Sequence, residues 1–208
     1  APAWYRCRSA GTRRDSCATP DTSDNTGLRW ASRCSITRGC SHASTRLPAT
    51  YADGCHQRFP DTAVPDCVYG DAQGARTVVL MGDSHAATWF PALEKLASQR
   101  GWRLVNLTKH GCPVAVARVW SEQLRRGYRE CSQWRTAALA RVAQEKPDLV
   151  VATSRTDYGV MKGTTRLEGP QSGAALAAAA ERTYRKLDSV AGEVLVLRDN
   201  PMRPDDPV

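Results

Sequence analysis

The hydrophobic pattern of the chain changes at about residue 76. Residues 1–75 show no sustained period of 2 or of 3.6, and they are rich in Cys, Gly, Ser, Thr, Pro and Arg, a texture typical of loops. From residue 76 onward, short apolar runs alternate with longer stretches of helical spacing. The pattern predicts a Cys-rich, disulfide-tied extension over residues 1–75 and an α/β domain over residues 76–208.

Four short runs in the second part read as strands, and the first of them is continuously apolar, as in a strand buried on both faces. They cover residues 77–81, 102–107, 148–153 and 193–198, and helices are predicted up to Arg100, over 121–146 and over 172–191. In the first helix, Trp89, Leu93, Leu96 and Ala97 have helical spacing, and Pro91 interrupts it early. Such alternation predicts right-handed crossovers and a parallel sheet with helices on both faces, with its site at the carboxyl ends of the strands.

The most informative residues, Gly82-Asp83-Ser84-His85, lie where the first buried strand turns into a helix. Gly82 allows a tight turn, and a serine at the start of a helix can present its hydroxyl above the strand ends. Ser84 is therefore a candidate nucleophile. The alternative is that Asp83 or Ser84 simply caps the helix, which is a common use of both residues.

Five blocks, taken in order, resemble the SGNH hydrolase superfamily, and specifically the extracellular SGNH domains attached to acyltransferase-3 membrane proteins. The blocks are residues 67–71 (CVYGD), 79–86 (VLMGDSHA), 107–113 (LTKHGCP), 131–135 (CSQWR) and 147–151 (PDLVV). The resemblance runs from about residue 55 to residue 200. It implies a three-layer SGNH/flavodoxin-like α/β fold.

The resemblance implies roles for two residues. Ser84 would be the nucleophile, with its own backbone N–H in the oxyanion hole, and Gly111 would supply a second N–H. Such a constellation is needed because a serine hydroxyl attacks only when a base takes its proton, and the oxyanion that forms needs preplaced donors. For Gly111, the alternative is an ordinary turn glycine before Pro113.

The sequence departs from the family pattern in its catalytic base. The family takes base and orienting acid from an Asp-x-x-His near the C-terminus of the domain, whereas the sequence has this pattern only at residues 53–56, before the nucleophile. We interpret that copy as unrelated to catalysis, and expect the true pair beyond Val208, so that the chain is a fragment. His85 adjoins Ser84, but neighbouring helical side chains point in different directions, so a packing or hydrogen-bonding role is expected for it.

Six further residues are candidates to line the pocket: Asp83, His85, Asn106, His110, Ser154 and Arg155. The Asn that usually follows the third strand of the family is replaced here by residues 151–155 (VATSR). Either Ser154 or Arg155 substitutes as a donor, or the oxyanion hole has two donors, or these residues simply close a strand. Asn106 either donates or satisfies loop backbone, and His110 either lines the pocket or is an exposed loop residue.

Eight cysteines, six of them between Cys7 and Cys67 and none in a C-x-x-C pair, predict disulfides and an oxidising compartment. Zinc is the alternative, with Cys40 and His42 or Cys55 and His56 as ligands, but these spacings match no common zinc pattern. We therefore expect no metal and no cofactor. The resemblance suggests a bond between Cys112 and Cys131, and Cys55 and Cys67 could be joined similarly.

Charge and hydropathy restrict the partners. The net charge of +8 and the pI near 9.3 suggest attraction to anionic polymers, but the basic residues are scattered and no stacking motif stands out, so nucleic acid is not expected. No apolar stretch approaches the roughly 20 residues that cross a bilayer.

The function that the resemblance implies is acyl transfer outside the cytoplasm. An acyltransferase-3 membrane domain, fused upstream or separate, would supply an acetyl group through acyl-Ser84 to a hydroxyl of a cell-envelope glycan, or water would release it. The alternative is a noncatalytic envelope-polymer-binding module on a degenerate SGNH fold.

Overall fold

A computed structural model describes residues 47–199 of the chain, and all of them belong to one compact unit, Ser44–Val208. The remainder of the predicted extension, including its first four cysteines, lies outside the described residues. The elements in chain order are α1 (Ala49–Ala52), β1 (His56–Gln57), β2 (Val68–Gly70), β3 (Thr77–Gly82), α2 (Ser84–Ala87), α3 (Phe90–Arg100), β4 (Arg103–Lys109), β5 (Trp120–Ser121), β6 (Arg126–Gly127), α4 (Arg129–Glu145), β7 (Leu149–Thr153), β8 (Met161–Lys162), β9 (Thr165–Arg166), α5 (Gly169–Asp188) and β10 (Glu193–Val196).

The central sheet has the strand order β1-β4-β3-β7-β10. All neighbours in this order are parallel. The short strand β2 pairs antiparallel with β4, along the edge that β1 also uses further on. The four predicted strands are therefore confirmed as β3, β4, β7 and β10 of a mostly parallel sheet.

Alternate residues of each strand face opposite sides of the sheet, as the period of a strand requires. Val79 and Met81 of β3 pack in the larger core with α4 and α5, whereas Val78 and Leu80 pack on the other side with α2 and α3. The predicted three-layer α/β arrangement, with helices on both faces, is confirmed.

The central strands end level with one another. Gly82 at the end of β3 pairs with Thr108 of β4 on one side and with Thr153 of β7 on the other. Because parallel strands direct their carboxyl ends to the same edge, the loops after these three strands meet there. This edge carries Ser84, Gly111 and the 154–158 loop.

The predicted helix over 121–146 is wrong at its start. Residues 120–127 form the β5–β6 hairpin, and the helix begins at Arg129. The hairpin is fixed by pairing distant in sequence, since Trp120 N–H donates to Gly159 C=O at 2.8 Å and Val119 bridges Val160. A second hairpin, β8–β9, was not predicted. Strands of two residues are too short to show a period in the sequence.

The predicted boundary at residue 76 does not separate the described part of the extension from the sheet. Residues 56–70 supply strands β1 and β2, and their pairing with β4 makes them part of the α/β layer. Both strands form hydrogen bonds with β4, which lies over thirty residues later in the chain. The local sequence pattern therefore did not predict these two strands.

The first predicted helix is broken into α2 and α3. Gly101 ends α3 in a left-handed conformation with φ of 62°, as expected of a C-terminal glycine. The buried face of α3 carries Phe90 and Ala97, whereas Trp89 and Leu96 are 39% and 42% exposed. The predicted spacing was therefore one residue out of register at these two positions.

Candidate active site

Ser84 is the first residue of α2 and follows the central strand β3 by two residues. It lines a cleft of about 250 Å³ at the carboxyl edge of the sheet. The other residues of this cleft come from three loops and two hairpins: Phe59, His110, Gly111, Trp120, Ser121, Glu122, Gln123, Arg155, Asp157, Tyr158, Gly159 and Arg166. A larger groove of about 480 Å³ shares no lining residue with this cleft. We place the candidate site at Ser84 because the smaller cleft lies at the carboxyl edge of the parallel sheet, where sites in such folds are expected.

Asp83 is fully buried and holds the turn before Ser84. Its Oδ1 accepts a hydrogen bond from His85 N–H at 2.9 Å, which is the capping role named as an alternative. Its Oδ2 accepts from Arg155 N–H at 2.9 Å and from the Tyr158 hydroxyl at 2.6 Å. Asp83 therefore positions the 155–158 loop beside Ser84 and does not itself line the cleft.

Tyr158 is the partner of Asp83 that sequence reasoning missed. Its ring is 9% exposed, and burial, followed by the Asp83 carboxylate, raises the pKa of its phenol above the ordinary range. The phenol therefore remains a proton donor to Asp83. No local signal marks Tyr158, since its partner lies 75 residues earlier.

Gly111 lies in the turn that follows β4, with φ of 58°, a conformation that favours glycine. A Cβ at this position would lie 3.2 Å from the Phe59 ring. Its neighbours are engaged, because His110 N–H donates to Gln57 C=O at 2.8 Å and Cys112 N–H donates to Lys109 C=O at 3.2 Å. Within residues 47–199 the Gly111 N–H has no protein acceptor.

Buried cations support the Gly111 turn from two sides. The Lys109 ammonium is 0% exposed and donates to the carbonyls of Arg58, Phe59 and Asp61 at 2.5, 3.1 and 2.6 Å, while burial lowers its pKa to about 8. The buried Arg135 guanidinium donates to the carbonyls of Pro113 and Ala117 at 3.0 and 2.5 Å.

The two disulfides proposed from the sequence are both formed. Cys55 and Cys67 join the segments of β1 and β2 with a Cα–Cα distance of 5.7 Å, and Cys112 and Cys131 join the Gly111 turn to α4 at 5.4 Å. Cross-links over loops of this length contribute about 3 kcal/mol to stability. Among residues 47–199, no group of three or more His, Cys, Asp or Glu side chains could hold a metal ion.

The loop after β7 divides its residues between two pockets. The Ser154 hydroxyl accepts from Val114 N–H at 2.9 Å and lines a separate pocket of about 160 Å³. Arg155 lines both pockets, and its guanidinium is paired with Asp157 at 2.7 Å. Arg155 therefore shares a cleft with Ser84, whereas Ser154 lies outside that cleft.

Asn106 does not reach the cleft. It is 2% exposed, and its amide donates to Cys55 C=O at 2.9 Å and to Thr108 Oγ1 at 3.0 Å. Its position in β4, paired with Leu80 in the middle of the sheet, puts it below the strand ends. The alternative, that Asn106 satisfies loop backbone, is the one observed.

The three histidines of the described residues have different environments. His85 Nδ1 lies 2.6 Å from Asp199 Oδ1, so this histidine has the hydrogen-bonding role that was expected of it. His110 is exposed and lines the cleft, with its ring centroid 4.8 Å from that of Phe59, and partial desolvation lowers its pKa. His56, from the Asp-x-x-His at 53–56, is buried outside the cleft.

His56 makes the fold sensitive to acid. Its Nδ1 is 3.0 Å from Thr108 Oγ1, its Nε2 has no partner among the described residues, and burial followed by the nearby His110 and Lys109 lowers its pKa from 6.5 to about 4. Between pH 6.5 and about 4, His56 is protonated in the unfolded chain but neutral in the folded chain. The free energy of unfolding therefore falls as the pH falls through this window.

We expect His56→Gln to flatten this dependence. In the parent, the free energy of unfolding should lose up to about 1.4 kcal/mol per pH unit from this group between pH 6.5 and 4. Urea unfolding followed by tryptophan fluorescence at pH 4.5, 5.5, 6.5 and 7.5 measures the slope for both proteins. Equal slopes would show that His56 is not the responsible group.

The architecture and the site together define a class: a three-layer α/β domain with a serine at the carboxyl end of its central strand. Within this class, the chain belongs to the family described as the SGNH domain fused to AT3 domains, whose model matches residues 54–208.

A comparison with solved structures finds the following match among others. It is the periplasmic domain of a lipopolysaccharide acetyltransferase from Salmonella ser. Paratyphi A, with a TM-score of 0.45 and 16% identity, over 74% of this chain and 51% of that domain. The chain thus spans about half the length of that solved domain. No curated protein matches the sequence significantly. Of the helices between residues 47 and 199, none combines the length and apolar character needed to cross a bilayer.

Proposed function

We propose that the chain is the extracytoplasmic domain of a serine O-acyltransferase or esterase that moves an acetyl group through an acyl-Ser84 intermediate. The observation that carries this proposal is the position of Ser84, at the end of the central strand and in one cleft with Gly111. Membership of the family fused to AT3 domains supports a membrane partner of that type as the acyl source. A hydroxyl of a cell-envelope glycan, or water, is the proposed acceptor.

The proposed reaction has two steps. The Ser84 hydroxyl oxygen forms a bond to the acyl carbon while the bond to the leaving group breaks, and the serine proton passes through a base to the leaving group. The acceptor hydroxyl then attacks the same carbon, the bond to Ser84 breaks, and the acceptor proton returns to the serine oxygen.

The oxyanion hole is proposed to have two backbone donors, the N–H groups of Ser84 and Gly111. A third donor from the loop after β7 is not expected. The Arg155 N–H already donates to Asp83, and the Ser154 hydroxyl faces another pocket. Removal of one such donor typically costs on the order of 3 kcal/mol of barrier.

We assign the general base to a residue outside 47–199. His56 is buried away from the cleft, and His85 is committed to Asp199. His110 lines the cleft, but its ring contacts the rings of His56 and Phe59, and among residues 47–199 no carboxylate forms an ion pair that would orient it.

Phosphonylation tests the nucleophile directly. We expect the natural full-length protein to react with a fluorophosphonate at a single site, found by peptide mass spectrometry on the fragment that carries Ser84. Heat-unfolded protein is the control, since an activated serine depends on the folded site. Labelling spread over several serines, or none in a folded sample, would contradict the proposal.

A further inference from the structure

The tryptophans of the described residues differ in their surroundings. Trp134 is 1% exposed in the core, Trp102 packs against the cluster under α2 and α3, and Trp89 caps the start of α3. Trp120 lines the cleft that contains Ser84. Among the four tryptophans of residues 47–199, Trp120 is thus the one that the β5–β6 hairpin places in the cleft of the proposed nucleophile.

The two hairpins form one continuous wall of this cleft. Trp120 N–H donates to Gly159 C=O at 2.8 Å, and Met161 N–H donates to Arg118 C=O at 2.7 Å. Between these bonds, Val119 bridges Val160 in antiparallel fashion. The wall is held by backbone hydrogen bonds, so it presents its side chains on a fixed frame.

The side chains of this wall combine an aromatic ring with paired charges. The Arg166 guanidinium lies 5.6 Å from the Trp120 ring centroid and 2.5 Å from the Glu122 carboxylate. Glu122 also accepts from Trp120 Nε1 at 3.1 Å. Ring, carboxylate and guanidinium therefore form one connected surface.

A second charge pair, Arg155 with Asp157 at 2.7 Å, lines the same cleft. Two guanidiniums and two carboxylates cancel locally, although the whole chain carries +8. A neutral ligand therefore suits this cleft better than an anion. An alkyl chain would displace water from these paired charges without offering them a hydrogen bond, which is costly, whereas a ligand with many hydroxyls can bond to both carboxylate and guanidinium.

From these observations we propose that the wall formed by Trp120, Glu122 and Arg166 is the acceptor subsite, and that its ligand is a neutral pyranose oligosaccharide. This inference rests on the proposed function, since it supplies the hydroxyl that would intercept acyl-Ser84. The pyranose ring stacks on the Trp120–Arg166 surface, and its hydroxyls donate to Glu122 and accept from Arg166. Aromatic rings with a polar edge are suited to such half-apolar ligands.

The test is a titration of the natural full-length protein with three neutral tetrasaccharides: maltotetraose, cellotetraose and tetra-N-acetylchitotetraose. Nuclear magnetic resonance follows the indole N–H signals, with Trp120 assigned by its disappearance in Trp120→Leu. We expect at least one sugar to shift the Trp120 signal saturably, and Trp120→Leu to weaken its binding by about tenfold or more. Absence of a saturable Trp120 shift with all three sugars overturns the inference.

Trp102→Leu is the matched control, because Trp102 also has an arginine over its ring, Arg76 at 5.3 Å, but does not line the cleft. It should leave sugar affinity unchanged, and an equal loss in both variants overturns the inference. The sugar titration does not require chemistry at Ser84. Binding at Trp120 without phosphonylation of Ser84 refutes the proposed enzyme and supports a binding module, whereas phosphonylation without sugar binding refutes the acceptor subsite alone.

Discussion

Ser84→Ala should abolish release of acetate from a chromogenic acetyl ester by the natural full-length protein. The expected fall in kcat is on the order of a thousandfold or more, because the alanine side chain cannot form the acyl intermediate. Stopped assays that count acetate and chromophore separately would measure both steps. The methyl group of alanine fits where the serine hydroxyl lies, so the fold should survive.

The control for this variant is Ser132→Ala, a serine of α4 that does not line the cleft. It should retain the parent rate, and both variants should keep the parent circular dichroism spectrum. Parent-like ester hydrolysis by folded Ser84→Ala would refute the acyl-serine mechanism.

Gly82→Ala should destabilise the fold more than any other single methyl addition on the sheet. A Cβ at Gly82 would lie 1.9 Å from Thr153 C=O and 2.7 Å from the Ala86 Cβ, and Gly82 has φ of 153°. Both obstacles are rigid, one being backbone of β7 and the other the helix that begins at Ser84. Relief requires β3 and β7 to separate, so we expect a loss on the order of 3 kcal/mol in the free energy of unfolding.

Urea unfolding followed by far-ultraviolet circular dichroism measures this loss against Gly173→Ala. Gly173 lies inside α5, and an added Cβ meets no atom within 4 Å. That control should gain about 0.5–1 kcal/mol from the better helix propensity of alanine. A stability of Gly82→Ala equal to that of the parent would contradict the close packing of β3 on β7.

The sequence was sufficient to predict the layers of the fold because each main strand carries its signal locally. Residues 77–81 form a continuous apolar run, which only a strand buried on both faces requires, and β3 is found there. The helices α4 and α5 are long enough, at 17 and 20 residues, for their period to be visible.

The short strands could not be predicted for the converse reason. β1, β5 and β8 have two residues each, and their conformation is decided by partners far along the chain. Ser121 illustrates this: it was predicted to begin a helix, whereas it lies in β5, and the N–H of its neighbour Trp120 donates to Gly159 C=O, 39 residues later.

The site was predictable where chemistry and backbone coincide. Ser84 and Gly111 follow strand ends, so their meeting at one edge follows from the parallel sheet. Asn106, by contrast, lies inside β4 and is buried. Gly111 lies only five residues later in the chain, yet it lines the cleft. The connection from Asp83 to Tyr158 depends on a loop path that no local pattern encodes.

The two hairpins are joined by backbone hydrogen bonds, so the shape of the cleft does not depend on the side chains that would contact a ligand. Trp120 and Met161 are held by hydrogen bonds from their backbone N–H groups, which every residue except proline possesses. The backbone of the wall therefore does not depend on which side chains it carries. Glu122 and Arg166 can therefore be exchanged without disturbing the sheet beneath them. Selectivity for a new ligand could be introduced into this domain by altering a few facing side chains, while the turn at Gly82 and the serine that follows stay as they are.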